Sequence, residues 1–365
     1  MKCIRCAHDS KRKDRAARLC PKCGGAFAFE PAEGDPVTDM LYKNAIDAVS
    51  GGGRLRWGVE NLYYEVCRRK RPRLGAGDVI RIVLLSFLAI IVFGFFASRL
   101  AIVNALLFAM LVAAVAAMSI ARYRARVGNP MVTITPAAFS PLWDRWRQTH
   151  GAPPGVIQRR PIPPPAGQPA VEPDIGDYSF DRAVICDRAR TVDLLIANDF
   201  HFENNCAILS VDGYPQGPFK TIMTMLKRNP KLQVYALHDA TPAGCAMARD
   251  IAFSPAWFNG QHRVIDLGLR PEHAKPFRGL FQPPTAPAGA ATAASLGFAA
   301  AEAAWLASHS LELAAVRPEQ TLKRLFRGMQ AHAADDFSGG GVTNCGSFDS
   351  DAAAGTDADG ADSFG

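Results

Sequence analysis

Nowhere in the 365 residues does a phosphate-binding glycine loop or a serine-hydrolase elbow occur, so P-loop nucleotide hydrolysis and acyl transfer on an α/β-hydrolase sheet fall away first. The opening MKCIRCAHDSKRKDR lacks an apolar run ahead of its cysteines, the expectation for a chain without a secretory signal. Charge is missing in two further places. Residues 82–98 and 100–121 carry no Asp, Glu, Lys or Arg, with Arg99 alone between them, and residues 334–365 hold seven Asp but no Lys or Arg. The formal net charge of +7 therefore averages a basic front against an acidic tail and says little about partners by itself.

What is present begins with cysteine. Four of the nine form two CxxC pairs, Cys3/Cys6 and Cys20/Cys23, the second followed by a Gly-Gly turn. Four thiolates at this spacing suit a tetrahedral zinc, and with all four positions filled by protein the metal would be structural. Residues 1–30 thus read as a zinc ribbon in a reducing compartment. Its basic loop reads as a solvated face, with phosphate contact as the alternative.

Residues 36–73 show apolar spacing for two short helices interrupted at Gly51 to Gly53, a small helical unit. The uncharged run that follows is about twice the ~20 residues one bilayer crossing needs. Residues 79–121 therefore read as two transmembrane helices joined by a tight turn. Arginines flank both outer ends, placing both termini in the cytoplasm by the positive-inside rule and the chain in the inner (cytoplasmic) membrane. Residues 130–177, rich in proline, read as an extended linker. Residues 290–333 form an Ala-rich helical segment, with a break at Pro318, and residues 334–365 an acidic tail without fixed structure.

Between linker and tail, residues 178–285 alternate strand-like and helix-like runs. RAVICD, CAILSVD, LQVYALHD and RVIDLGL are separated by helical patterns such as PFKTIMTMLKRN and PAGCAMARDIAF. This order predicts an α/β domain with a mainly parallel sheet. Each strand reaches an acid near its carboxyl end: Asp187, Asp212, Asp239 and Asp266. Ligands of such sheets bind at that edge, and four carboxylates there make a candidate Mg²⁺ site. Turn and helix-capping roles are the competing explanation for each of them. Cys186 with His201 or His238 is a candidate nucleophile pair, against which stands an inert buried thiol.

The stretches VDGYPQGPFKTIMTML and VYALHDATPAGCAMA resemble the Toprim domain, most closely the version found in the DNA-cleaving component of topoisomerase VI and its relatives. The likeness spans about ninety residues. It implies a Rossmann-like parallel sheet and Mg²⁺-assisted transfer of a DNA phosphodiester to a tyrosine. In that family a Glu closes the first strand and two acids follow the third. Here these positions hold Cys186, with Asp187 beside it, then Asp239 and Thr241, so two of the three acids are replaced. ENLYYEVCRR likewise resembles the helix that carries the family's tyrosine, which falls on Tyr64 with Tyr63 as fallback, but Asn61 stands near where the family has its arginine, and an amphipathic helix with aromatic core residues, the favoured explanation, accounts for the pattern without chemistry. The reading leans away from an enzyme. It expects a membrane-anchored Toprim-like protein that binds nucleic acid or a phosphate ligand with weak or no catalysis. The alternatives are a scaffold or sensor for protein partners, and a metal-dependent DNA-cleaving enzyme using Tyr64, Asp187 and Asp239.

Overall fold

The computed structural model describes residues 1–15, 18–70, 130–158, 180–284, 297–332 and 342–344. The apolar run expected to cross the membrane lies outside them, as does most of the acidic tail. Among the described residues no helix is long and apolar enough to span a bilayer.

Four five- or three-residue strands form where the apolar runs predicted them: β1 (Arg182–Cys186), β2 (Cys206–Ser210), β3 (Gln233–Leu237) and β4 (Val264–Asp266). A fifth, β5 (Val342–Asn344), joins β4 at the edge. The order is β2-β1-β3-β4-β5, and every pairing is parallel. The chain is thus α/β, with both sheet faces buried as a parallel sheet requires. Side chains alternate between the faces along each strand. Ala183 and Ile185 of β1 and Val234 and Ala236 of β3 enter one core, while Val184, Cys186, Tyr235 and Leu237 enter the other.

The first core is closed by α6 (Gln216–Arg228) and α7 (Pro242–Phe253), which contribute Ile222, Met223 and Leu226, and Met247, Ala248 and Ile251. On the opposite face lie α4 (Ala189–Ala197), the single-turn α5 (Phe200–Glu203) and α9 (Pro318–His332), with Val192, Leu195, Phe200, Leu325 and Met329 buried. The helix α8 (Ala300–Ser308) ends well before Pro318, so the Ala-rich segment is two helices separated by a turn.

The second face also takes in the residues that precede the apolar run. Helices α1 (Asp39–Val49) and α2 (Val59–Lys70) pack into the same core, with Tyr42, Ile46, Leu62 and Tyr64 buried. Asn61 donates to the carbonyls of Ala314 and Val316, and Arg56 and Asn198 exchange two backbone-to-side-chain hydrogen bonds. The helical unit is therefore docked on the sheet domain.

Within the span expected as linker, residues 136–150 form a helix, α3 (Pro136–His150). Thr135 caps its start by accepting from the Ala138 amide at 3.3 Å. Phe139, Leu142 and Trp146, at the spacing of one helical face, bury against Phe29 and Tyr42. Proline content hid this helix, although Pro136 sits in its first turn, where a missing N–H costs nothing. One buried carboxylate joins three pieces: Asp39 accepts from the amides of Ala28 and Phe29 at 2.9 Å and contacts His150 Nε2 at 2.8 Å.

Candidate functional site

In this strand order the direction of winding reverses between β1 and β3, and such a switch point opens a crevice at the carboxyl ends of the strands. Asp187 follows β1 directly, and Asp239 follows β3 by two residues. The structure brings them together: Asp187 Oδ2 accepts the Asp239 amide at 2.8 Å, while Asp187 Oδ1 is buried without a hydrogen-bond partner. Burial, with the charge of Asp239 next in weight, pushes the Asp187 carboxyl up to about 7. Burial also raises Asp239, against the pull of the Leu313 amide and the nearby arginines.

Asp239 is closed in by the protein itself. Its Oδ1 accepts the Leu313 amide at 2.7 Å, and its Oδ2 lies 3.2 Å from Arg188 Nε and 3.6 Å from Arg190 Nη2. Arg190 also meets Glu312 at 3.1 Å. Leu311 pairs with Ala240 through two backbone hydrogen bonds, so the 311–313 strap lies across the end of β3. The space left beside Arg190, bordered by Glu60, Asn61, Thr191 and Asp193, is about 50 Å³, room for a few waters rather than a nucleotide.

Tyr64 belongs to this neighbourhood. Its hydroxyl accepts from Gln282 Nε2 at 2.5 Å. It is fully buried. Burial pushes its ionisation well above the ordinary tyrosine range, with the Glu312 charge next. The tyrosine and the two acids singled out in the sequence thus converge, but on a phenol shielded from solvent. Tyr63 donates to the Ile134 carbonyl at 2.8 Å.

Asp266 stands apart, one strand over. His238 Nε2 lies 2.9 Å from its Oδ1, Arg270 reaches its Oδ2 at 2.8 and 3.0 Å, and the Gly268 amide donates at 2.9 Å. His238 Nδ1 faces the Asp239 carbonyl at 2.9 Å. A carbonyl and a carboxylate both only accept, so both ring nitrogens donate and His238 is an imidazolium. Burial disfavours that charge, but the Asp266 hydrogen bond and charge outweigh it and raise the His238 pKa. Burial likewise works against ionised Asp266, yet His238 and Arg270 hold it well below the usual carboxylate range. Gly268 is needed here: a Cβ at that position would lie 2.3 Å from His238 Cδ2.

Asp212 is exposed and borders a different groove along α6. Thr241, where the resemblance calls for the second acid, caps α7 by accepting the Gly244 amide at 3.0 Å. Cys186 is fully buried, and burial pushes its thiol well above the ordinary range. The donor set does not fit the Mg²⁺ that a Toprim-type site implies. Asp239 and Asp266 are engaged by arginines, a histidine and amides, Asp212 is elsewhere, and the sequence positions of the other acids hold Cys186 and Thr241. Arg188, Arg190 and Glu312 were not singled out from the sequence. A signal existed, because two arginines opening a helix oppose its dipole and so ask for a carboxylate partner.

The N-terminal cysteines do form a metal-ligand set. The Sγ atoms of Cys3, Cys6, Cys20 and Cys23 all lie within 4.8 Å of one another, the only group of three or more such ligands gathered among the described residues. Cys3 and Cys23 are 3.7 Å apart, as are Cys6 and Cys20. Sulfurs bound ~2.3 Å from one tetrahedral ion would be about 3.8 Å apart. Each CxxC sits on a tight turn, with antiparallel bridges Lys2 to Asp9 and Leu19 to Ala26. The Arg5 amide points at Cys3 Sγ at 3.4 Å. The turn also explains Gly25, whose Cβ would meet Arg5 Cδ at 3.0 Å and Cys23 Sγ at 3.3 Å.

Compared with protein-family models, curated proteins and solved structures, the chain matches none.

Proposed function

We propose that the chain is a membrane-anchored cytoplasmic protein, built on a Toprim-type sheet, that binds partners and does not carry out metal-dependent phosphodiester chemistry. The observation that carries this reading is the closure of Asp239 by Arg188, Arg190 and the Leu313 amide. Cations of the protein occupy the place where the family's chemistry needs a hydrated metal and a substrate phosphate. The buried Tyr64 hydroxyl supports the same reading, since an attacking phenol needs access and an accessible ionised form. The apolar run at residues 82–121 is the anchor, and the four cysteines hold a structural zinc that stabilises the ribbon docked beside α1. With the switch point filled by the 311–313 strap, its outer surface serves protein partners. A second reading, binding of nucleic acid or another polyanion, is favoured by one feature away from this edge, the cationic face of α6. A nicking assay tests the proposal: supercoiled DNA incubated with the full chain and Mg²⁺ or Mn²⁺ should stay supercoiled. Nicked product that disappears with Tyr64→Phe or Asp239→Asn would overturn it.

A further inference from the structure

Residues 213–237 contain Lys220, Lys227, Arg228 and Lys231 and no Asp or Glu. All four cations are exposed, on or just past α6. None pairs with a carboxylate among the described residues; Lys227 donates only to the Ala256 carbonyl, at 3.0 Å. This contrasts with the arginines around Glu65, Asp239 and Asp266, each matched to an acid. Beside the cations runs a groove of about 620 Å³, lined by Phe219, Lys220, Thr224, Lys227 and Trp257 together with one acid, Asp212. Phe219 and Trp257 meet edge to face, ring centroids 6.1 Å apart, and give it an apolar floor.

We infer that the occupant of this groove is the chain's own acidic tail, residues 345–365. Charge complementarity favours it. That segment holds five Asp (Asp349, Asp351, Asp357, Asp359 and Asp362), no Lys or Arg, and two aromatics, Phe348 and Phe364. Reach favours it as well. The tail starts where β5 ends, at Asn344, at the carboxyl edge of the sheet. From β5 to β2 is four strand spacings, about 19 Å, while about 20 extended residues span roughly 70 Å. A tethered segment needs little intrinsic affinity, because the tether supplies a high effective concentration. The tail and an external polyanion would then compete for the same lysines of α6. The inference is independent of the switch-point reading, which concerns the other edge residues.

The test uses the full chain in detergent micelles, a version ending at Asn344, and a fluorescent peptide of residues 345–365 read by anisotropy. The peptide should bind the shortened chain, bind the full chain at least about tenfold more weakly, and weaken about tenfold more between low and high salt. Binding should be lost with Lys220→Glu plus Lys227→Glu, whose side chains are exposed and leave the core untouched. No binding to the shortened chain would overturn the inference, as would binding indifferent to the charge reversal. An oligothymidylate that binds full and shortened chains equally through the same lysines would assign the groove to nucleic acid, and would overturn it too.

Discussion

Asp187→Asn should stabilise the protein, by an amount that grows as pH rises from about 4 to about 7. Its Oδ2 accepts the Asp239 amide and its Oδ1 has no hydrogen-bond partner, so an amide of the same shape keeps the one bond the carboxylate makes. Burial lifts the folded-state pKa from 3.8 to about 7. Between those values the folded chain holds a proton that the unfolded chain has released. Stability therefore falls as pH rises from about 4 to about 7, and the loss is complete above that. A shift of roughly three units is worth about 4 kcal/mol at ~1.4 kcal/mol per unit, an upper limit on the gain from the substitution. Urea unfolding of both forms, followed by tryptophan fluorescence at pH 4.5 and pH 8, reads the difference directly. The variant should exceed the parent by about 1 kcal/mol at pH 4.5 and by a few kcal/mol at pH 8. Equal stability at pH 8, or loss at both values, would refute the picture of a buried, strained carboxylate.

Other consequences follow from single residues. Gly268→Ala should cost roughly 1–3 kcal/mol or more, because the added Cβ meets the His238 ring, and thermal melts measure it. Glu65 is buried and bridges Arg68, Arg69 and Arg317 at 2.6–3.0 Å. Removing its charge by Glu65→Gln leaves three guanidinium groups facing a neutral amide and should destabilise by about 3–5 kcal/mol. Cys3→Ser or Cys20→Ser should lower bound zinc from one per chain toward none in metal analysis, with the ribbon becoming protease-sensitive while the sheet domain stays intact; one zinc retained in both variants would contradict a four-cysteine site.

The elements of the sheet domain were readable because their signals are local. β1 to β4 fall inside the apolar runs marked in the sequence, and Thr241-Pro242 announces the start of α7 as a cap followed by a first-turn proline. The cysteine site was readable for the same reason, since two CxxC turns fix their own geometry. What escaped was long-range. Asp239 is 74 residues from the Leu313 amide that it binds, and Glu65 is 252 from Arg317. No spacing rule reports such pairs, so Asp239 and Asp266 looked available to a metal when arginines already face them. The docking of α1 and α2 onto the sheet domain and of α3 onto α1 was hidden likewise, because each amphipathic face shows that it must be covered and not by what.

We hold that the acids at the carboxyl edge of the sheet bind no divalent metal, because the protein's own arginines and amides engage Asp239 and Asp266. A Mn²⁺ titration of the full chain, read by electron paramagnetic resonance, tests it most directly. The account predicts that the free-ion signal grows in proportion to added Mn²⁺, with no difference between the parent and Asp239→Ala. A saturable site near one ion per chain that disappears in Asp239→Ala or Asp187→Ala would contradict it.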